Sequence, residues 1–204
     1  MRHWLEGLER KTASLDADLL LWPSTPLLNL QGRIRERVGA GDRDVSNPAS
    51  RPARIIRALR EVKPANVLDI CCGDALVLKA VKDALGVPCY GVDLSLDIPG
   101  QAEAKAAGVE LYRVALQVLV DSPPPDCIGV TMMLNTYRGW KDAGLHNGEE
   151  SLPDRVTAWL ANYSLRSVLT VTPWQFQELA VTNYVQDLGP GEGDKSRLVM
   201  VTWG

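Results

Sequence analysis

Two carboxylates stand out by position. Asp69 lies near the end of the apolar run Val67-Leu68-Asp69-Ile70 and is followed by the small-residue stretch Cys71-Cys72-Gly73-Asp74-Ala75, while Asp93 closes the run Tyr90-Gly91-Val92-Asp93-Leu94. A carboxylate beside a small-residue loop can accept hydrogen bonds from hydroxyl or ammonium groups and attract a cation, and the loop lets backbone approach a ligand closely. A third cluster, Leu134-Asn135-Thr136-Tyr137-Arg138-Gly139-Trp140, gathers an amide, a phenol, a guanidinium and an indole within a few positions. An aromatic face there would attract a cationic centre.

These residues also exclude chemistries. A dinucleotide site wants Gly-x-Gly-x-x-Gly between its first strand and helix, so that a pyrophosphate can sit against backbone N–H groups. The stretch after Ile70 offers only Gly73, and Asp74 stands where the pyrophosphate would lie, adding like-charge repulsion. Asp74 is expected instead to cap the following helix. A structural metal is not expected: the four cysteines lack Cys-x-x-Cys spacing, and His3 and His146 are the only histidines. Cys71 and Cys72 are neighbours, poorly placed to close a disulfide, and read as small buried filler. Cys89 and Cys127 fall in apolar runs that read as buried strands, so all four are expected to be reduced thiols. His146 reads as an exposed loop residue, and Trp22, Trp159, Trp174 and Trp203 as packing residues.

The elements that must position these groups follow from periodicity. Trp4, Leu5, Leu8, Leu15 and Leu19 recur at helical spacing, and Ile55, Ile56 and Leu59 do so again over 54–62. Pro23, Pro26 and the stretch from Gly39 to Pro52 break the pattern between them. Residues 1–60 therefore read as a mostly helical lead-in. Beyond Pro64, short apolar runs alternate with helical segments: strands are expected over 66–70, 89–92, 109–113, 127–134 and 167–171, and helices over 74–85, 98–107 and 153–162. Such alternation implies a parallel sheet covered by helices. Strand-like runs over 179–186 and 197–203, separated by the turn-rich Gly189-Pro190-Gly191-Glu192-Gly193-Asp194, suggest a terminal antiparallel hairpin. In such a sheet a ligand binds beyond the carboxyl ends of the strands, where strand order reverses.

The stretch Asp69 to Ala75 resembles the first motif of the class I S-adenosylmethionine-dependent methyltransferases, with Cys71 and Ala75 standing where glycines are usual. The resemblance covers roughly Pro64 to Gly204. It implies an α/β, Rossmann-like open sheet, mostly parallel with a C-terminal antiparallel hairpin, at 61–204, preceded by the helical segment 1–60. It implies S-adenosyl-L-methionine as cofactor, a cation without phosphate that suits the acidic loop, held by Asp69, Cys71 and Gly73. By the same resemblance Asp93 would accept the ribose hydroxyls and Leu94 pack near the adenine. Ala115 and Leu116, with Gln117, would border the adenine, without the family's common acidic residue. Asn135 would orient the donor, and Tyr137, Arg138 and Trp140 would form the acceptor wall. Asn135 and Tyr137 are the candidate catalytic residues, with His146 and Asp142 as lesser candidates for a base. The Asn-Pro-Pro-Tyr type of tetrapeptide of amino-methylating nucleic-acid enzymes is absent, and Tyr163-Ser164-Leu165-Arg166 replaces the Pro-Gly-Gly turn common before the fifth strand.

Bulk properties bound the rest. Within 204 residues of net charge −3, residues 1–60 carry 11 Lys or Arg against 7 Asp or Glu, and the remainder 11 against 18. That basic lead-in is far weaker than a nucleic-acid footprint, so RNA is a possible partner but not the favoured one. Its arginines, Arg33, Arg35, Arg37, Arg43, Arg51 and Arg54, are candidates to bind an anionic group of the acceptor. No apolar run approaches the roughly 18–20 residues of a membrane span, and the opening residues lack a signal-peptide core. A cytoplasmic monomer or homodimer is expected, with methyl transfer to oxygen or nitrogen of a small molecule or protein acceptor. The alternatives are a methyltransferase-like binding or scaffold protein without catalysis, and an RNA methyltransferase.

Overall fold

The computed structural model describes residues 1–15, 44–94, 96, 98–134, 152–171, 173–191 and 196–204. The chain enters through helix α1 (Arg2–Ala13), which buries Leu5, Leu8 and Thr12 on one stripe, and resumes in α2 (Arg51–Val62). Ser50 caps α2 by accepting from the Ala53 N–H, Pro52 sits in its first turn where no intrahelical donor is needed, and Lys63 ends it in the left-handed region.

Strands and helices then alternate: β1 (Val67–Ile70), α3 (Leu76–Leu85), β2 (Cys89–Asp93), α4 (Gln101–Ala106), β3 (Glu110–Arg113), α5 (Leu116–Val120), β4 (Val130–Met133), α6 (Leu152–Asn162), β5 (Ser167–Val171), α7 (Pro173–Thr182), β6 (Tyr184–Pro190) and β7 (Arg197–Thr202). Among the described residues these strands form one seven-stranded sheet in the order β3-β2-β1-β4-β5-β7-β6. The first five pair in parallel, and β7 runs antiparallel to both β5 and β6. The expected sheet and its antiparallel hairpin are thus present. Strand order reverses between β1 and β4, which puts the loop after β1 at the crevice.

Every residue of β1 and of β4 is buried, as a central strand covered on both faces requires. Alternation sorts their side chains onto two faces. Leu68 and Ile70 join Leu5 and Leu8 of α1, Leu119 of α5, and Trp159 and Leu160 of α6. On the other face Val67 joins Ile55 and Leu59 of α2 and Leu78 and Val81 of α3.

Three local expectations are corrected. Cys127 is exposed in a turn that follows Pro123-Pro124-Pro125, and the strand begins only at Val130, three residues into the expected run. Leu179 to Thr182 close helix α7 and do not open the last hairpin; contacts of Phe176 and Leu179 with the core override their strand-like composition. The N-cap position of α3 is Ala75, although Asp74 does accept from the Leu76 N–H at 3.2 Å. The turn before β5 uses Ser164 at φ 49°, so a serine takes the left-handed conformation that glycine adopts more readily. The Trp159 and Trp203 indoles are buried and donate to the carbonyls of Ser122 and Leu165, while Trp22 lies outside the described residues.

Candidate functional site

The loop after β1 is a run of left-handed backbone: Cys71, Gly73 and Ala75 adopt φ of 59°, 56° and 57°. Only Gly73 does so without steric penalty. A residue with a Cβ loses roughly 1–2 kcal/mol in this region. The surrounding structure must therefore hold Cys71 and Ala75 in place. The Cys72 N–H donates to the Val92 carbonyl at 3.1 Å, and the Ala75 N–H to the Cys72 carbonyl at 2.9 Å.

The Gly73 peptide is gripped on both sides. Its N–H donates to Asp93 Oδ2 at 2.9 Å, and its carbonyl accepts from Gln101 Nε2 at 2.7 Å. Asp93 thus joins the carboxyl end of β2 to the loop after β1. Gly91 permits the close approach beneath: a Cβ there would lie 2.6 Å from Leu111 Cδ2 and 2.8 Å from Cys72 Sγ. Among the described residues nothing lies within 4 Å of where a Cβ on Gly73 would sit.

Asp69 is buried at 3 % exposure on the α2 side of the sheet, and its carboxyl is held well above the usual carboxylate range. Burial is the main cause; the Arg51 guanidinium opposes it, while the charges of Asp93 and Asp74 add to it. Burial likewise pushes the Cys71 and Cys72 thiols up, helped by Asp69 and Asp93. Both are therefore neutral thiols at physiological pH, which suits packing and not nucleophilic attack.

Beyond β3, Ala115 is buried and Leu94 and Leu116 pack partly against the core. This segment is tied to α1: the Arg113 N–H donates to Glu9 Oε1 at 2.8 Å and the Ala115 N–H to Thr12 Oγ1 at 3.1 Å. Of the sequence-derived residues, Asp69, Cys71, Gly73, Asp93, Leu94, Ala115 and Leu116 fall on the strand ends and loops at this edge of the sheet. Asn135, Tyr137, Arg138 and Trp140, with Asp142 and His146, lie outside the described residues, as do Arg33, Arg35, Arg37 and Arg43. Arg51 and Arg54 are buried against the sheet domain, and Arg54 donates to the Leu188 carbonyl at 2.9 Å. Gln101, Glu9 and Thr12 were not anticipated. Their contacts join positions far apart in the chain, and the one local hint was an amide following Pro99-Gly100 at the start of a helical run. Among the described residues no cluster of three His, Cys, Asp or Glu could hold a metal ion. No described helix is long and apolar enough to cross a membrane.

No protein-family model and no curated protein matches this sequence. Solved structures do match. Magnesium protoporphyrin IX methyltransferase from Synechocystis PCC 6803, with S-adenosylmethionine bound, gives a TM-score of 0.58 at 15% identity, over 94% of this chain and 99% of its own. The methyltransferase domain of bacterial CtHen1 gives 0.57 at 13% identity, over 78% of this chain and 100% of its own. The bifunctional kinase-methyltransferase WbdD gives 0.55 at 14% identity, over 80% of this chain but 39% of that longer one. With its 3-2-1-4-5-7-6 strand order and antiparallel seventh strand, the chain has the fold of the class I S-adenosylmethionine-dependent methyltransferases.

Proposed function

We propose that this chain binds S-adenosylmethionine and transfers its methyl group to an oxygen or nitrogen of a small-molecule or protein acceptor. The observation that carries this reading is the loop after β1, locked to the Asp93 carboxylate at the reversal of strand order. The fit is chemical as well as topological. A cation that carries hydroxyls and no phosphate matches carboxylates at Asp74 and Asp93. Solved methyltransferases of the same fold, one with this cofactor bound, support the reading; their different acceptors leave this chain's acceptor open.

When bound, the cofactor supplies an electrophilic methyl group, so the protein's part is to align the reactants and keep water out. Asp93 accepts from the ribose hydroxyls. The field of Asp74 and Asp93 favours the cationic end, and Asp69 is the hydrogen-bonding carboxyl at the base of the loop. Leu94, Ala115 and Leu116 flank the adenine, with Cys71 and Gly73 as the floor of the loop. Asn135 orients the donor, and Tyr137, Arg138 and Trp140 line the acceptor side. Residues 1–60 act as a lead-in to the 61–204 core, and α1 already reaches the end of β3 through Glu9 and Thr12.

Calorimetric titration with S-adenosylmethionine tests the proposal, repeated on Asp93→Ala. Micromolar binding by the intact protein that weakens at least a hundredfold in the variant is expected, since a charged acceptor of two hydroxyls is lost. No heat of binding by the intact protein at millimolar cofactor would overturn the reading. Binding without methyl transfer to any acceptor screened would favour a cofactor-binding scaffold, for which Cys71 and Ala75 at glycine-type positions speak. Tight, salt-sensitive binding of RNA would move the acceptor to nucleic acid.

A further inference from the structure

The loop that would hold the cofactor lacks two of its glycines yet keeps the left-handed backbone that glycine makes easy. Cys71 and Ala75 sit at φ 59° and 57°. Something outside the loop must hold it there, and the contacts at Gly73 identify the device. Gln101 is 2 % exposed and is the one polar residue among the largest fully buried side chains of the described residues. Its amide donates to the Gly73 carbonyl at 2.7 Å while the Asp93 carboxylate accepts from the Gly73 N–H at 2.9 Å. The residue before it closes the same contact from behind. Gly100, at φ 102°, places its Cα so near the loop that a Cβ would meet Asp74 Cβ and the Asp74 carbonyl oxygen at 3.1 Å, and Leu76 Cγ at 3.2 Å. The Pro99-Gly100-Gln101 turn and the loop are thus built against each other, 28 residues apart in sequence.

We infer that Gln101 is a positioning residue for the cofactor loop: with Asp93 it clamps the Gly73 peptide and so keeps Cys71 and Ala75 in the left-handed conformation the binding surface requires. This rests on the cofactor reading above, but part of it can be tested without cofactor. The clamp does for the loop what glycines at 71 and 75 would do by intrinsic preference. The two devices should therefore substitute for each other.

The experiment is a double-mutant cycle between the clamp and the loop glycines, read in two ways. Gln101→Met keeps volume and removes the donor. Its Kd for S-adenosylhomocysteine, measured by calorimetry, should rise about tenfold, the size of one buried hydrogen bond. In the Cys71→Gly/Ala75→Gly background the same change should raise Kd less than threefold. Unchanged affinity for Gln101→Met, or an equal loss in both backgrounds, overturns the inference. Amide hydrogen exchange is the cofactor-free reading. The Gly73 and Ala75 amides of the intact protein should be protected and should lose about tenfold of that protection in Gln101→Met. Rapid exchange of both amides in the intact protein overturns the inference even if no Gln101 variant folds. Failure of the intact protein to bind S-adenosylhomocysteine while exchange behaves as expected sinks the cofactor reading and leaves the clamp standing.

Discussion

Asp69 is the residue whose chemistry costs the fold most. Its carboxyl lies wholly inside the protein, and burial, with Asp93 and Asp74, outweighs the compensating Arg51 guanidinium. The folded form therefore binds a proton more tightly than the unfolded chain, whose aspartates titrate near about pH 4. For such a group the stability it contributes is full below the unfolded value and is lost as pH rises from there through the folded value. Asp69→Asn keeps the shape and removes the titrating proton. Urea unfolding between pH 4 and 7 should show the intact protein losing stability relative to this variant, by up to about 1.4 kcal/mol per pH unit, the slope of one proton. The variant should equal or exceed the intact protein in stability at pH 7 while binding S-adenosylmethionine more weakly. Parallel pH profiles would show that Asp69 is ionised in both states.

Helix α1 shows how an element outside the sheet serves it. Leu5 and Leu8 are buried to 0 % and 2 % in the layer shared with α5 and α6, and Trp4 stacks on Trp159 with ring centroids 6.5 Å apart. Its polar side ties down β3, the edge strand among the described residues, where Glu9 accepts from the Arg113 N–H. Arg2 forms a bidentate pair with Glu110 at 2.7 and 2.8 Å, but its side chain is 67% exposed. Burial and exposure predict opposite outcomes. Leu5→Ala should cost roughly 2–5 kcal/mol, the usual range for a buried leucine, whereas Arg2→Ala should leave the midpoint almost unmoved because solvent screens the exposed pair. Equal losses in urea melts of the two variants would mean that α1 is held by its ion pair and not by its apolar stripe.

Across the whole molecule, stability should grade from the centre of the sheet to its far edge. β1 and β4 are buried at every position and flanked by strands on both sides, while β6 is an edge strand with mixed exposure, a register shift between Asp187 and Gly189, and Tyr184 at 73% exposure. Native-state hydrogen exchange should find the slowest amides in β1 and β4, opening only with global unfolding. The amides of β6 should exchange through smaller openings, several kcal/mol less costly. Uniform protection across all seven strands would show that the sheet opens as one unit. The loop that carries Gly73 leaves the stable end of this gradient, directly after β1.

The order of the strands from Pro64 onward, with helices α3, α4 and α6 between them, was legible in the sequence because those elements carry their own period, and the two carboxylates were legible because they fall at or near the ends of apolar runs. Helices α5 and α7 were not expected, being a five-residue turn of helix and a segment of partly strand-like composition. Boundaries were less legible where local composition and packing disagreed: Leu179 to Thr182 read as strand although Phe176 and Leu179 contact the core from a helix, and Cys127 read as buried although the strand starts only at Val130. What only the tertiary structure decided is which residues meet. Neither the Gln101 amide on the Gly73 carbonyl, nor Arg51 opposite Asp69, nor Thr12 on the Ala115 amide leaves a trace in periodicity. Period reports the face on which a side chain lies; its partner is set by how two faces pack, and that is decided by the whole fold at once.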